Sequence, residues 1–94
     1  RTDHLLWILA EECAEVAQRA SKAARFGLEE RHASHSKNNQ ALILEEYADL
    51  VGVMEMLIEE GCVLLTEDFR GMIEQKKLRV EKFLAYSKEC GTLD

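Results

Sequence analysis

Two five-residue runs carry the chemistry of this sequence, Glu11-Glu12-Cys13-Ala14-Glu15 and Glu45-Glu46-Tyr47-Ala48-Asp49. Each sets two acids three residues apart, which on a helix puts them on the same side, one turn from each other. Projected at about 100° per residue with Leu9 at zero, Glu12 falls near about 300° and Glu15 near about 240°, with Ile8 between them. With Ile43 at zero, Glu46 and Asp49 fall near the same about 300° and about 240°, with Val53 between them. Glu12 and Glu46 thus lie in the margin of an apolar stripe, where a bare carboxylate is costly to desolvate. Four such groups facing one another repel, and some take up protons near neutral pH. A hard divalent cation removes the difficulty, because Mg²⁺ accepts oxygen ligands octahedrally and leaves positions for water and phosphate oxygens. The residues therefore point to a metal site of Glu12, Glu15, Glu46 and Asp49 that holds Mg²⁺, with Mn²⁺ as a substitute. Di-iron bundles need Glu-x-x-His on two helices, and no histidine lies three residues after any of these acids. His4, His32 and His35 are assigned to solvent, which favours Mg²⁺ or Mn²⁺ over iron or zinc. A single Glu-x-x-Glu is ordinarily a solvated face, and Glu11, Glu29, Glu30 and Glu45 are read that way.

Three long helical patterns position these residues. The first runs from about Asp3 to Phe26, capped by Thr2 or Asp3 and stopped by Gly27. Its apolar stripe is Leu5, Leu6, Leu9, Cys13, Val16, Ala17, Ala20 and Ala24, and Cys13 reads as packing. Residues 28–39 are polar and aperiodic, a loop with room for one short helical turn. The second pattern spans about Gln40 to Glu60 and ends at Gly61, with Ile43, Leu44, Tyr47, Leu50, Val51, Met54, Leu57 and Ile58 as its stripe. Thr66 is the expected N-cap of the third, with Glu67 and Asp68 in its first turn, and that helix runs to about Glu89. Phe69, Met72, Ile73, Val80, Phe83 and Leu84 line its inner face. The expected architecture is an all-α antiparallel bundle forming a single domain over 1–94. Three such helices hide little apolar surface from one another, so a homo-oligomer is expected, a dimer or a tetramer.

Composition narrows the classes. The chain has 94 residues, 47% hydrophobic and 32% charged, with five glycines and no proline, too few turn-formers for a β-rich domain. Eighteen acids against twelve bases give a formal charge of -6, which argues against a nucleic-acid polymer as partner. No apolar run approaches the roughly 18 residues of a membrane span, and no signal peptide opens the sequence, so a cytoplasmic protein without a membrane partner is expected. Cys13, Cys62 and Cys90 form no CxxC pair and read as free thiols.

Glu-Glu-x-x-Glu on one helix followed by Glu-x-x-Asp on the next resembles the all-α nucleoside triphosphate pyrophosphohydrolases, which include MazG-like proteins, dimeric dUTPases and phosphoribosyl-ATP pyrophosphohydrolase. The stretches ILAEECAEVAQRASKAARFGL and LILEEYADLVGVMEML look most like small MazG-like proteins of bacteria and phages. The resemblance covers about residues 5–60. It implies that Glu12, Glu15, Glu46 and Asp49 match the family's metal ligands, and that water attacks an α–β phosphoanhydride of a nucleoside triphosphate to give a monophosphate and pyrophosphate. The stretch from Arg25 to Leu44 is long and polar compared with many relatives.

Such a reaction needs cations at the phosphates. On the third helix Lys76 falls inside the apolar arc between Met72 and Val80, where it either meets an anion or snorkels to the edge. Arg79 flanks that face and can make a bidentate phosphate contact. Lys22 and Arg25 are the candidates on the first helix. Trp7 projects away from the stripe's centre, either to a subunit contact, the favoured reading, or onto a base. The metal ions would neutralise phosphate charge and acidify water, with Glu15 as the first choice of proton acceptor and Glu12 the second. No arrangement for covalent catalysis and no phosphate-binding Gly-rich loop is present. The alternatives are phosphoribosyl-ATP hydrolysis and a non-enzymatic helical interaction module.

Overall fold

The computed structural model describes residues 1–66 and 68–93 and is all-α. Its helices are α1, Thr2–Phe26; α2, Asn39–Glu59; and α3, Phe69–Glu89, with no strand among the described residues. Glu67, expected in the first turn of the third helix, lies outside them. The chain divides into two compact units, Arg1–Leu64 with α1 and α2, and Leu65–Asp94 with α3. None of the helices is long and apolar enough to cross a membrane.

The first unit is an antiparallel hairpin. At one end Arg1 Nε and Nη2 donate to the two carboxylate oxygens of Glu60 at 2.7 and 2.8 Å. At the other end Asn39 Nδ2 donates to the Gly27 carbonyl at 2.9 Å. Gly27 stops α1 as expected, at φ 102°, a conformation that L side chains avoid. The start of α1 differs from expectation: Arg1, not Thr2 or Asp3, is the cap residue, and no side chain bonds the free N–H groups. α2 begins at Asn39, because Asn38 Oδ1 accepts the Ala41 N–H at 3.0 Å and so caps the helix. The loop between them folds into turns, such as His35 N–H to His32 carbonyl at 2.9 Å, without a helical element.

The hairpin packs on a seven-residue repeat. Leu5, Leu9, Glu12, Val16, Arg19 and Ala23 are among the least exposed positions of α1, spaced alternately four and three apart. Leu42 and Leu57 of α2 are buried, Leu57 completely, with Glu46 and Leu50 half-buried between them. This corrects the expected stripe of α1: Leu6, Cys13, Ala17, Ala20 and Ala24 are exposed. Two parallel stripes coexist on this helix, and the one with Leu5, Leu9 and Val16 removes more apolar area per residue than the one made of Cys and Ala. Leu44 and Tyr47 leave a second apolar face on α2 exposed as well.

In the second unit α3 buries no residue. Asp68 rather than Thr66 occupies its cap position, and Thr66 Oγ1 instead reaches Met72 Sδ at 3.3 Å. Arg70 and Lys77 both pair with Glu74 along the helix surface, at 2.7 and 3.3 Å. The expected inner arc is largely open: Phe69, Met72, Val80, Phe83 and Leu84 are exposed, and so is Lys76.

Candidate functional site

The heptad of α1 carries Glu12 where a coiled coil would place an apolar side chain, and α2 does the same with Glu46. Because the helices run antiparallel with these faces opposed, the acids converge. One carboxylate oxygen from each of Glu12, Glu46 and Asp49 lies within 4.8 Å of the others. Glu15, one turn beyond Glu12, stands exposed on the side of Glu46 and bears on the ionisation of that carboxyl. Three of the four residues expected to meet are thus brought together, and Glu15 is not among the three whose oxygens converge.

Their electrostatics follow from this crowding. Burial pushes the Glu12 carboxyl above the ordinary glutamate range, and the charges of Asp49, Glu46 and Glu11 push it further. Glu46 is raised too, first by the adjacent Glu15 carboxyl and then by burial and the Glu15 charge, against the opposing pull of Arg19. Carboxylates this close repel one another, which favours the neutral form of Glu12 and of Glu46. Even so, Glu12 Oε2 and Glu46 Oε2 are buried without a hydrogen-bond partner among the described residues. An orphaned buried acceptor is a costly feature that asks for a positive group. An all-carboxylate donor set with two such oxygens fits a hard divalent cation better than a thiolate- or imidazole-preferring one.

Arg19, not singled out by sequence reasoning, is the positive group already at the site. Its Nε lies 3.6 Å from Glu46 Oε1, and the two side chains are only 19% and 12% exposed. The signal was its spacing: four residues after Glu15, and on the same heptad as Glu12.

Arg19 also lines a cleft of about 280 Å³ beside the cluster. Lys22 and Phe26 continue its α1 wall, and Glu30, His32 and His35 form its loop wall. His32 and His35, assigned to solvent from the sequence, thus border a cavity, His35 half-buried and His32 exposed. Glu30, read as solvated surface, is held in place: Asn39, 5% exposed, donates its Nδ2 to Glu30 Oε2 at 2.8 Å and its backbone N–H to the Glu30 carbonyl at 3.0 Å.

The remaining sequence candidates are dispersed. Lys22 is half-buried in the cleft wall, whereas Arg25 is exposed with its guanidinium 5.0 Å from the centre of the Phe26 ring. Lys76 and Arg79 are exposed side chains of α3 in the second unit. Trp7 is exposed and packs edge-on against His4, with ring centres 5.1 Å apart. Cys13, Cys62 and Cys90 are free thiols. No protein-family model, curated protein or solved structure matches this chain.

Proposed function

We propose that this protein is a Mg²⁺-dependent nucleoside triphosphate pyrophosphohydrolase, cleaving the α–β phosphoanhydride to a nucleoside monophosphate and pyrophosphate. The observation that carries this reading is the convergence of Glu12, Glu46 and Asp49, with Glu15 beside them and two orphaned carboxylate oxygens among them. The resemblance of the two acidic motifs to MazG-like enzymes supports the choice of reaction. Glu12, Glu15, Glu46 and Asp49 would hold the cation, which when bound supplies Lewis acidity at phosphate oxygens and acidifies water. Mn²⁺ has the same preference for oxygen donors and is expected to substitute.

The protein's own groups divide the rest of the work. Glu15 is exposed at the margin of the cluster, so it is the carboxylate best placed to take a proton from the attacking water; Glu12 is the second choice. Arg19 and Lys22 follow the carboxylates along α1 by one and two turns, which sets cations in line for the phosphate chain of a substrate. They offset the repulsion that a chain of charge -6 exerts on a polyanion. The same reading takes the protein as a homo-oligomer, supported by the exposed second faces of α1 and α2. Sedimentation as a folded monomer at micromolar concentration would count against that part.

Pyrophosphate release from a panel of ribo- and deoxyribonucleoside triphosphates, with and without Mg²⁺, tests the activity. Release that requires Mg²⁺ is expected, and its absence from every nucleotide would refute the reading. In the same assay Lys22→Ala should lower kcat/KM by about tenfold, equivalent to about 1.4 kcal/mol. Lys76→Ala separates the two groups of cations. A loss there with Lys22→Ala silent would assign the phosphate contacts to α3.

A further inference from the structure

Of the ion pairs among the described residues, Arg19–Glu46 is both the most buried and the loosest. Arg1 and Arg70 hold their glutamates at 2.7 Å in the open, with 68% and 74% of their side chains exposed. Arg19 Nε stands 3.6 Å from Glu46 Oε1, beyond hydrogen-bond range, although its side chain is only 19% exposed. A buried pair offsets the cost of desolvating its charges only when the contact is short and the remaining lone pairs are satisfied. Neither condition is met here, because Glu46 Oε2 is buried with no hydrogen-bond partner among the described residues. Arg19 therefore does not fasten the hairpin as Arg1 does through its two bonds to Glu60.

Charge explains what Arg19 does instead. Glu12, Glu46 and Asp49 each bring an oxygen within 4.8 Å of the others, and Arg19 is the one cation paired with any of them among the described residues. Like charges this close repel strongly where water is scarce. A single guanidinium beside Glu46 reduces that repulsion but leaves the Oε2 atoms of Glu12 and Glu46 unserved. A divalent cation places twice the charge at about 2.0–2.1 Å from its oxygen ligands, and it repels a neighbouring guanidinium. Arg19 has room to give way. It lines the cleft of about 280 Å³, and Glu30, held by the amide of Asn39, stands in the loop wall of that cleft as another carboxylate to face.

We propose that Arg19 is an exchangeable counter-ion, which neutralises Glu46 in the metal-free protein and is displaced into the cleft when a divalent cation binds the carboxylates. The proposal rests on the pyrophosphohydrolase reading only for the presence of that cation. Arg19 thus stabilises the empty site and opposes metal binding, the reverse of a residue that holds a ligand in place for the metal. The two roles predict different signs. Removing a counter-ion destabilises the metal-free protein and tightens metal binding, whereas removing a support for Glu46 weakens both.

The test combines Mn²⁺ binding, followed by the paramagnetic resonance signal of the free ion, with melting of chelator-treated protein. The parent, Arg19→Gln and Arg19→Lys are compared at one pH and one ionic strength. Without metal, Arg19→Gln should melt about 4 °C or more below the parent. It should also bind Mn²⁺ about fivefold or more tightly. Arg19→Lys keeps the charge, and the contact is too long for the guanidinium's fork to matter, so its Mn²⁺ affinity should stay within about twofold of the parent's. Weaker or unchanged Mn²⁺ binding by Arg19→Gln, or an undiminished melting temperature, would overturn the counter-ion and leave the metal centre standing. No saturable Mn²⁺ binding by any of the three proteins would overturn both. If Arg19→Gln fails to fold, the parent decides. Saturating Mg²⁺ should speed exchange of the Arg19 Hε with water in ¹⁵N-labelled protein, and unchanged exchange would overturn the displacement.

Discussion

Glu46→Gln is expected to reduce pyrophosphate release at least about hundredfold, a loss of about 2.7 kcal/mol of transition-state stabilisation, while leaving the metal-free protein as stable as the parent or more so. The substitution keeps the side chain's shape between Leu42 and Leu50 but removes one negative charge from a cluster whose oxygens lie within 4.8 Å of one another. The introduced amide can donate to Glu15, so the Glu15 charge that raises the parent's Glu46 carboxyl becomes a favourable neighbour. It can also still accept from Arg19, which lies 3.6 Å from Glu46 in the parent. Destabilisation relative to the parent, with activity lost, would mean that the carboxylate serves the fold. Retained activity would remove Glu46 from the site. A purely structural cluster predicts neither half of the expected result.

The second large effect is a dependence of stability on pH that Mg²⁺ reverses. Glu12 and Glu46 both titrate above the ordinary glutamate value of 4.5, Glu12 first through burial and Glu46 first through the adjacent Glu15 carboxyl. The native protein therefore binds these protons more tightly than the unfolded chain does. Their contribution to stability is complete below 4.5 and is lost as pH rises through their raised native values. Glu60, lowered by its hydrogen bond with Arg1, acts oppositely, and its contribution fades as pH falls below 4.5 through its depressed value. Metal-free protein should thus melt at a higher temperature near pH 5 than near pH 8, and Glu12→Gln should flatten that slope. Mg²⁺ competes with the protons, so at about a hundred times its dissociation constant it should restore about 2.7 kcal/mol near pH 8 and little near pH 5. Chelator-treated samples melted at both pH values, with and without Mg²⁺, check this. A slope of the opposite sign would contradict the crowded-carboxylate account.

The acid pairs were legible because their angular placement depends only on helical spacing, which both helices obey over more than five turns. The choice between adjacent stripes was not. Leu5–Leu9–Val16 and Leu6–Cys13–Ala17 both satisfy the helical period, and only the bulk brought against α2 decides between them. The position of Asn38 as the cap of α2 was missed because the polar run before it has no periodicity to mark where the loop stops. Arg19 was passed over because a lone cation on a helix usually belongs to solvent; its significance depends on Glu46 arriving from the other helix. Glu30 and the two histidines belong to a loop whose shape is set by the hydrogen bonds of Asn39, a partner nine residues from Glu30. Such a contact between a loop and a helix start has no sequence period. Lys76 shows the converse limit of a helical projection: it falls in an apolar arc, and that arc is itself largely exposed.

The central claim is that a divalent cation binds among the four carboxylates of α1 and α2, and Mn²⁺ can report its own position. In a ¹⁵N-labelled sample titrated with substoichiometric Mn²⁺, paramagnetic broadening should be strongest at the backbone amides of Glu12, Glu15, Glu46 and Asp49. Excess Mg²⁺ should reverse it, and Glu46→Gln should weaken it. Broadening centred elsewhere, such as on Glu74 of α3, or none at millimolar Mn²⁺, would contradict the metal centre and the hydrolase built on it.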